Sequence, residues 1–267
     1  MANQQSKAEI IKFATQLCLA CSVLVSTAAV VLRPLQDANV ENEKKINILR
    51  AAGIAEAGKK LSSSEINSRY QQIIPVVVNF ETGDLNQELD PEKYDMYEAA
   101  ASDEGAALKN DPAGIKRQAK NGTAYILLEG EKVKKIVLPV QGYGLWSTMY
   151  GFTSLDMEKE NPTIGALTFY AQSETAGLGA EVANPKWQVK WAGINPYNDK
   201  GEPQISVVKN KTNANEIDSI AGATLTSKGV QNLMNYWLSN NGYKKFIENV
   251  KSGKISVKDM QSKKGSV

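Results

Sequence analysis

The 267-residue sequence predicts an α+β fold: one N-terminal transmembrane helix followed by a soluble domain with a mostly antiparallel sheet and flanking helices. Three observations lead there. An uncharged apolar stretch stands near the N-terminus, β-branched runs separated by short polar turns fill the middle, and an apolar stripe at helical spacing comes last.

The apolar stretch runs from Phe13 to Leu32, with Lys12 before it and Arg33-Pro34 after it. Its twenty residues would span about 30 Å as a helix, the depth of a hydrocarbon core. Residues 13–33 are therefore expected to be a membrane anchor that meets lipid through 13–32, with 1–12 as a short tail. A cleaved signal sequence is the alternative, although its apolar part usually covers about 7 to 15 residues. A lipoprotein reading of Cys21 fits poorly, because Cys18, Leu19 and Ala20 precede it and the apolar run continues past it. Charge does not orient the anchor: Lys7 and Lys12 lie on one side, Arg33, Lys44 and Lys45 on the other.

Residues 34–120 are expected to form a helical and mixed segment of the soluble domain. Ile46, Leu49, Ala52 and Ile54 recur at near-helical spacing and suit a helix from Val40 to about Lys60, with Gly58 near its end. Ser62 to Glu65 is a capping-box pattern opening a helix through Tyr70. Ile73 to Phe80 is β-branched, with Pro75 near its start, and reads as a strand. Asp84 to Asn110 reads as loop plus a short helix. Over residues 121–250, Ala124 to Leu128 and Val133 to Val140 form a hairpin pattern, and Ala166 to Gln172, Trp187 to Trp191 and Ile205 to Lys209 are further strand candidates. Val230, Leu233, Met234, Trp237 and Leu238 stripe a helix from about Ser227 to Asn240; Tyr243 to Val250 continues helically, and 251–267 reads as a flexible tail.

Composition narrows the chemistry. Histidine is absent, which removes the commonest general base and the commonest metal ligand, so hydrolases built on a His base and most zinc sites are excluded and no metal ligand is expected. The two cysteines, Cys18 and Cys21, both lie in the apolar run, leaving the rest of the chain without disulfides or thiolate clusters. Lys plus Arg is 31 against 29 for Asp plus Glu, which gives no electrostatic reason to expect nucleic acid. Redox chemistry in this chain would have to come from an organic cofactor.

The segment Asp218-Ser-Ile-Ala-Gly-Ala-Thr-Leu-Thr-Ser227 carries the strongest signal. An acidic turn leads into three small residues, a hydroxyl cluster and then a helix. Ala221, Gly222 and Ala223 leave the backbone open to close approach, and Thr226 or Ser227 would be a natural N-cap. A phosphate on Thr224 would lie within a turn of the positive helix end, where anions are stabilised. On physical grounds alone a plain helix cap with small packing residues accounts for the same pattern. Asp218, Gly222, Ala223 and Thr224 resemble the flavinylation motif of the FMN-binding domain family, with Ala221 where Ser or Thr is usual. Gly142-Tyr-Gly-Leu-Trp146 resembles that family's Gly-x-Gly-Leu-Trp segment, and Glu174-Thr-Ala-Gly-Leu-Gly179 its Glu-Thr-Pro-Gly-Leu-Gly loop, with Ala176 in place of Pro.

The resemblance reaches, by order of segments and by the anchor, to the C subunits of the bacterial sodium-translocating NADH:quinone oxidoreductases. It implies an FMN-binding domain over 121–250 and FMN held covalently through Thr224 by a dedicated flavin transferase. The cofactor-binding set it implies is Asp218, Gly222, Ala223, Thr224, Leu225 and Thr226, with Leu145 and Trp146, and with Glu174, Thr175, Gly177, Leu178 and Gly179. It further implies electron transfer among other subunits of a membrane complex, a single pass through the bacterial inner membrane, and a periplasmic domain. The G subunit of the related ferredoxin-linked complex and an anchored, non-redox binding module are the alternatives. Lys228 would pair with the phosphate or be an ordinary surface lysine.

Overall fold

A computed structural model describes residues 6–56 and 58–262, which divide after Glu43 into two units. In the first, residues 7–43 belong to a helix, α1 (Lys7–Ala52), that is long and apolar enough to cross a membrane. Phe13, Leu17, Val23, Leu24 and Val30 stand exposed on it, an arrangement suited to hydrocarbon rather than water. Thr15 and Ser22 turn their hydroxyls back to the carbonyls of Ile11 and Cys18, so neither needs an external partner. Arg33-Pro34 ends the apolar run but not the helix: α1 continues through Pro34, losing one ladder bond there.

The second unit begins inside α1. The helix expected over Val40 to Lys60 is the C-terminal part of α1 and closes at Gly53, whose φ of 77° is the left-handed closure that glycine makes cheaply, rather than at Gly58. Next come α2 (Ser63–Tyr70), opened by the expected reciprocal box of Ser62 and Glu65, β1 (Ile73–Asn79), α3 (Met96–Ala101), β2 (Gly105–Ala107) and β3 (Arg117–Ala119). The central strands are β4 (Asn121–Glu129), β5 (Lys132–Tyr143), β6 (Thr148–Asp156) and β7 (Thr163–Ala171). Then follow α4 (Pro185–Gln188), the short parallel pair β8 (Ser206–Val208) and β9 (Glu216–Asp218), α5 (Thr224–Trp237), α6 (Lys244–Lys251) and α7 (Val257–Gln261).

The main sheet has the order β1-β4-β5-β6-β7, antiparallel throughout. Its faces separate by the two-residue period of a strand. Ile136, Leu138 and Val140 pack with Val230, Leu233, Met234 and Trp237 of α5. Val137, Tyr125 and Phe152 pack with Ile46, Ile48, Leu49 and Ala52 at the end of α1.

Three expectations are corrected and one strand is added. Trp187 to Trp191 is not a strand: Asn184 caps α4, Pro185 occupies its first turn, and a 3-10 turn carries the chain on to Trp191. The two tryptophans, four apart, meet edge to face at 5.5 Å. Helix α5 starts at Thr224 rather than Ser227 and ends at Trp237 rather than Asn240. The stretch up to Ser262 is not a loose tail, because Ser256 and Asp259 make a capping box for α7 and Ile255 and Met260 are buried; residues 263–267 lie outside the described residues. Strand β6 was not anticipated at all.

Candidate functional site

Three segments far apart in sequence meet at the N-terminus of α5. Ala223 N–H bonds to Ile220 O at 3.1 Å around Gly222, whose φ is 73°, the left-handed position of a tight turn. That turn delivers the chain into α5 with Thr224 as its first residue and Ala223 at the cap position. Ala223 has no side chain with which to cap, so the first-turn N–H groups keep their capacity for an anion. Thr224 and Leu225 are exposed, and Ala223, Thr226 and Ser227 are buried.

Neither expected cap residue caps. Thr226 donates its hydroxyl to Glu174 Oε2 at 2.6 Å, and Ser227 Oγ accepts from Ile220 N–H at 3.0 Å, which ties the turn to the helix it feeds. Asp218 ends β9, and its contacts run to the α4 region: its carboxylate pairs with Lys190 at 3.2 Å and its carbonyl accepts from Trp187 Nε1 at 2.8 Å. Lys190 and Trp187 were not anticipated as supports for this turn.

The Gly142 to Trp146 segment is the end of β5 and a four-residue turn into β6, with Gly144 N–H on Ser147 O at 2.8 Å. Leu145 and Trp146 sit at its tip, 40% and 65% exposed. Strand β5 packs so closely on α5 here that a Cβ on Gly142 would lie 2.5 Å from Leu233 Cβ, and one on Gly229 would lie 2.4 Å from Tyr143 O. The Glu174 to Gly179 loop leaves β7. Gly177 has a φ of 72°, and the carbonyl of Thr175 accepts from Leu178 N–H and Ala180 N–H. Leu178 is 43% exposed, and its Cδ2 lies 2.9 Å from where a Cβ on Gly222 would stand.

Glu174 joins the three segments. It is 7% exposed and accepts from the N–H groups of Leu145 (3.1 Å), Trp146 (3.0 Å) and Ser147 (3.2 Å), besides Thr226. Burial pushes its carboxyl up, but the Thr226 hydroxyl and the three backbone donors outweigh burial and hold it below the usual carboxylate range.

The sequence-identified residues thus divide into an exposed set (Leu145, Trp146, Thr175, Gly177, Leu178, Gly222, Thr224 and Leu225) and a buried set (Glu174, Gly179, Ala223 and Thr226), with Asp218 half-buried to one side. Lys228 is exposed one turn further along α5. An exposed hydroxyl, an uncapped helix end and exposed apolar side chains fit a phosphate-bearing planar aromatic group.

That fit defines a class: residues 144–239 match the family model described as FMN-binding domain. Similar proteins, named as the C subunit of Na(+)-translocating NADH-quinone reductase, come from Pseudomonas aeruginosa, 37% identical over 95% of this chain and 99% of the relative, and from Vibrio parahaemolyticus, 37% identical over 96% and 99%. The crystal structure of Shewanella oneidensis NqrC superposes with a TM-score of 0.71 at 27% identity, over 80% of this chain and 99% of that one. The crystal structure of the corresponding C subunit from Parabacteroides distasonis gives 0.62 at 28% identity, over 81% and 96%. The chain belongs to the family of C subunits of Na(+)-translocating NADH-quinone reductases.

Proposed function

We propose that the chain carries FMN as a phosphoester on Thr224 Oγ1 and passes electrons between other subunits of a sodium-translocating NADH-quinone reductase. One observation carries this reading: an exposed threonine hydroxyl is the first residue of a helix whose N-terminal N–H groups have no side-chain cap, placed there by a turn that requires Gly222. Bound FMN supplies one- and two-electron chemistry at its ring, which these side chains lack.

The chain's own contribution is holding and shielding. Thr224 provides the ester oxygen, and the first-turn N–H groups of α5 face the phosphate charge. Leu145, Trp146, Leu178 and Leu225 offer apolar cover that keeps water from a ring system. Gly177 and Gly222 allow the backbone turns that place Leu178 and Thr224. Asp218, fixed by Lys190 and Trp187, presents a carboxylate to the transferase that attaches the flavin. The α1 helix anchors the domain in the bacterial inner membrane by a single pass, with the domain on the periplasmic side, where a covalent link prevents loss of a cofactor that could not be replenished.

Peptide mass mapping of native material over residues 210–228 tests the reading. The peptide bearing Thr224 should weigh one FMN less one water above its bare mass; a bare peptide from native complex ends the proposal.

A further inference from the structure

Two glycines of the site are explained by one carboxylate. A Cβ on Gly144 would lie 2.5 Å from Glu174 Oε1, and one on Gly179 would lie 2.8 Å from Glu174 Oε2 and 2.6 Å from Thr226 Oγ1. Oε1 takes the N–H groups of Trp146 and Ser147, Oε2 takes the Thr226 hydroxyl, and Leu145 N–H lies within reach of both oxygens, at 3.1 and 3.2 Å. Only a carboxylate offers acceptors on both branches; an amide would turn a donor toward one of these N–H or O–H groups. Every one of these donors is electrically neutral, so the buried group brings a full negative charge to the site, solvated by fixed dipoles.

We propose that Glu174 is a positioning residue for the flavin: its buried carboxylate clamps the Leu145–Ser147 turn to the first turn of α5, fixing the apolar tip relative to Thr224, and its charge holds the flavin's reduction potential down. The inference rests on the reading that Thr224 carries FMN. Clamping follows from the bonds, because Leu145 and Trp146 sit on a short turn whose three successive N–H groups all end on this one side chain, and that side chain is fastened in turn to α5 through Thr226. The effect on potential follows from Coulomb's law, since an electron arriving near a fixed negative charge is disfavoured. Glu174 therefore acts on the cofactor from beneath the cover rather than as part of it.

The test uses full-length chain matured with its flavin transferase, with potentials measured on the fraction that carries FMN. Glu174→Gln is expected to shift the flavin midpoint potential to more positive values and to speed amide hydrogen exchange at Leu145, Trp146 and Ser147. Glu174→Asp keeps the charge but shortens the reach, and should speed the same exchange while leaving the potential near that of the wild type. Wild-type potential and wild-type exchange in Glu174→Gln would overturn the proposal. Should that variant not fold, Thr226→Val keeps the charge and removes its shortest hydrogen bond; it should move the potential to more negative values, and an unmoved potential would overturn the proposal equally. A wild-type chain without FMN would remove the reading beneath the proposal and the proposal with it, and that failure is visible before any variant is made.

Discussion

Thr226 and Glu174, separated by 52 residues in the chain, share a 2.6 Å hydrogen bond between two buried side chains. The bond joins the loop after β7 to the first turn of α5, and Glu174 carries the connection on to the turn between β5 and β6. The three segments are therefore joined within the polypeptide, with Thr224 two residues from the bond and exposed.

Because Thr224 is exposed and its neighbour Ala223 performs no capping, removal of the hydroxyl should cost function without costing the fold. Thr224→Ala is expected to carry no covalent FMN by intact mass, with stability within about 0.5 kcal/mol of wild type by thermal or urea melting. Thr224→Ser should remain modifiable.

Gly229 lies mid-helix, where Gly→Ala ordinarily stabilises by about 1 kcal/mol. Here a Cβ would stand 2.4 Å from the Tyr143 carbonyl oxygen, a backbone atom that cannot move without disturbing β5. Gly229→Ala is expected instead to destabilise by about 1–3 kcal/mol through overpacking. Urea denaturation decides the sign, and a gain in stability would refute the close packing of α5 on β5.

The pH dependence of Glu174 follows from its lowered folded-state value. Its contribution to stability should be fully present above the unfolded carboxylate range, about pH 4.3 for Glu, and be lost as pH falls through the folded value. Glu174→Gln should therefore be less stable than wild type near neutrality, and the difference should shrink as the pH is lowered below about 4. A stability gap that stays constant across acid titration would contradict this.

Trp237 Nε1 donates to the Gln141 carbonyl at 2.7 Å within the core formed with Phe80 and Tyr243. Trp237→Phe strands that buried carbonyl and should cost about 1–3 kcal/mol in chemical denaturation. Trp146→Phe, at an exposed turn tip, should change stability by no more than about 0.5 kcal/mol.

Elements governed by neighbours in sequence were legible in advance. The Ser62–Glu65 box, the β4–β5 hairpin and the stripe of α5 depend on spacings within a few residues, and each stands where it was expected, give or take its ends. Strand β6 is not legible in the sequence because Gly151 interrupts it and Thr153 and Ser154, polar by type, are fully buried in the sheet. Trp187 to Trp191 alternates apolar and polar residues and also spaces its tryptophans by one helical turn; the Asn184-Pro185 start signal favours the helix that forms.

Composition and short-range order were enough to set the apolar span and the lack of side chains able to do redox work, whereas the start of α5 at Thr224 rather than Ser227 was not legible from them. Tertiary structure alone decided which residues are surface and which are frame. Thr226 and Ser227 looked like caps and became internal ties, and Glu174 became the common acceptor of three segments. Those roles depend on β5, β7 and α5 packing within hydrogen-bond reach of one another, and nothing local in the chain encodes that approach.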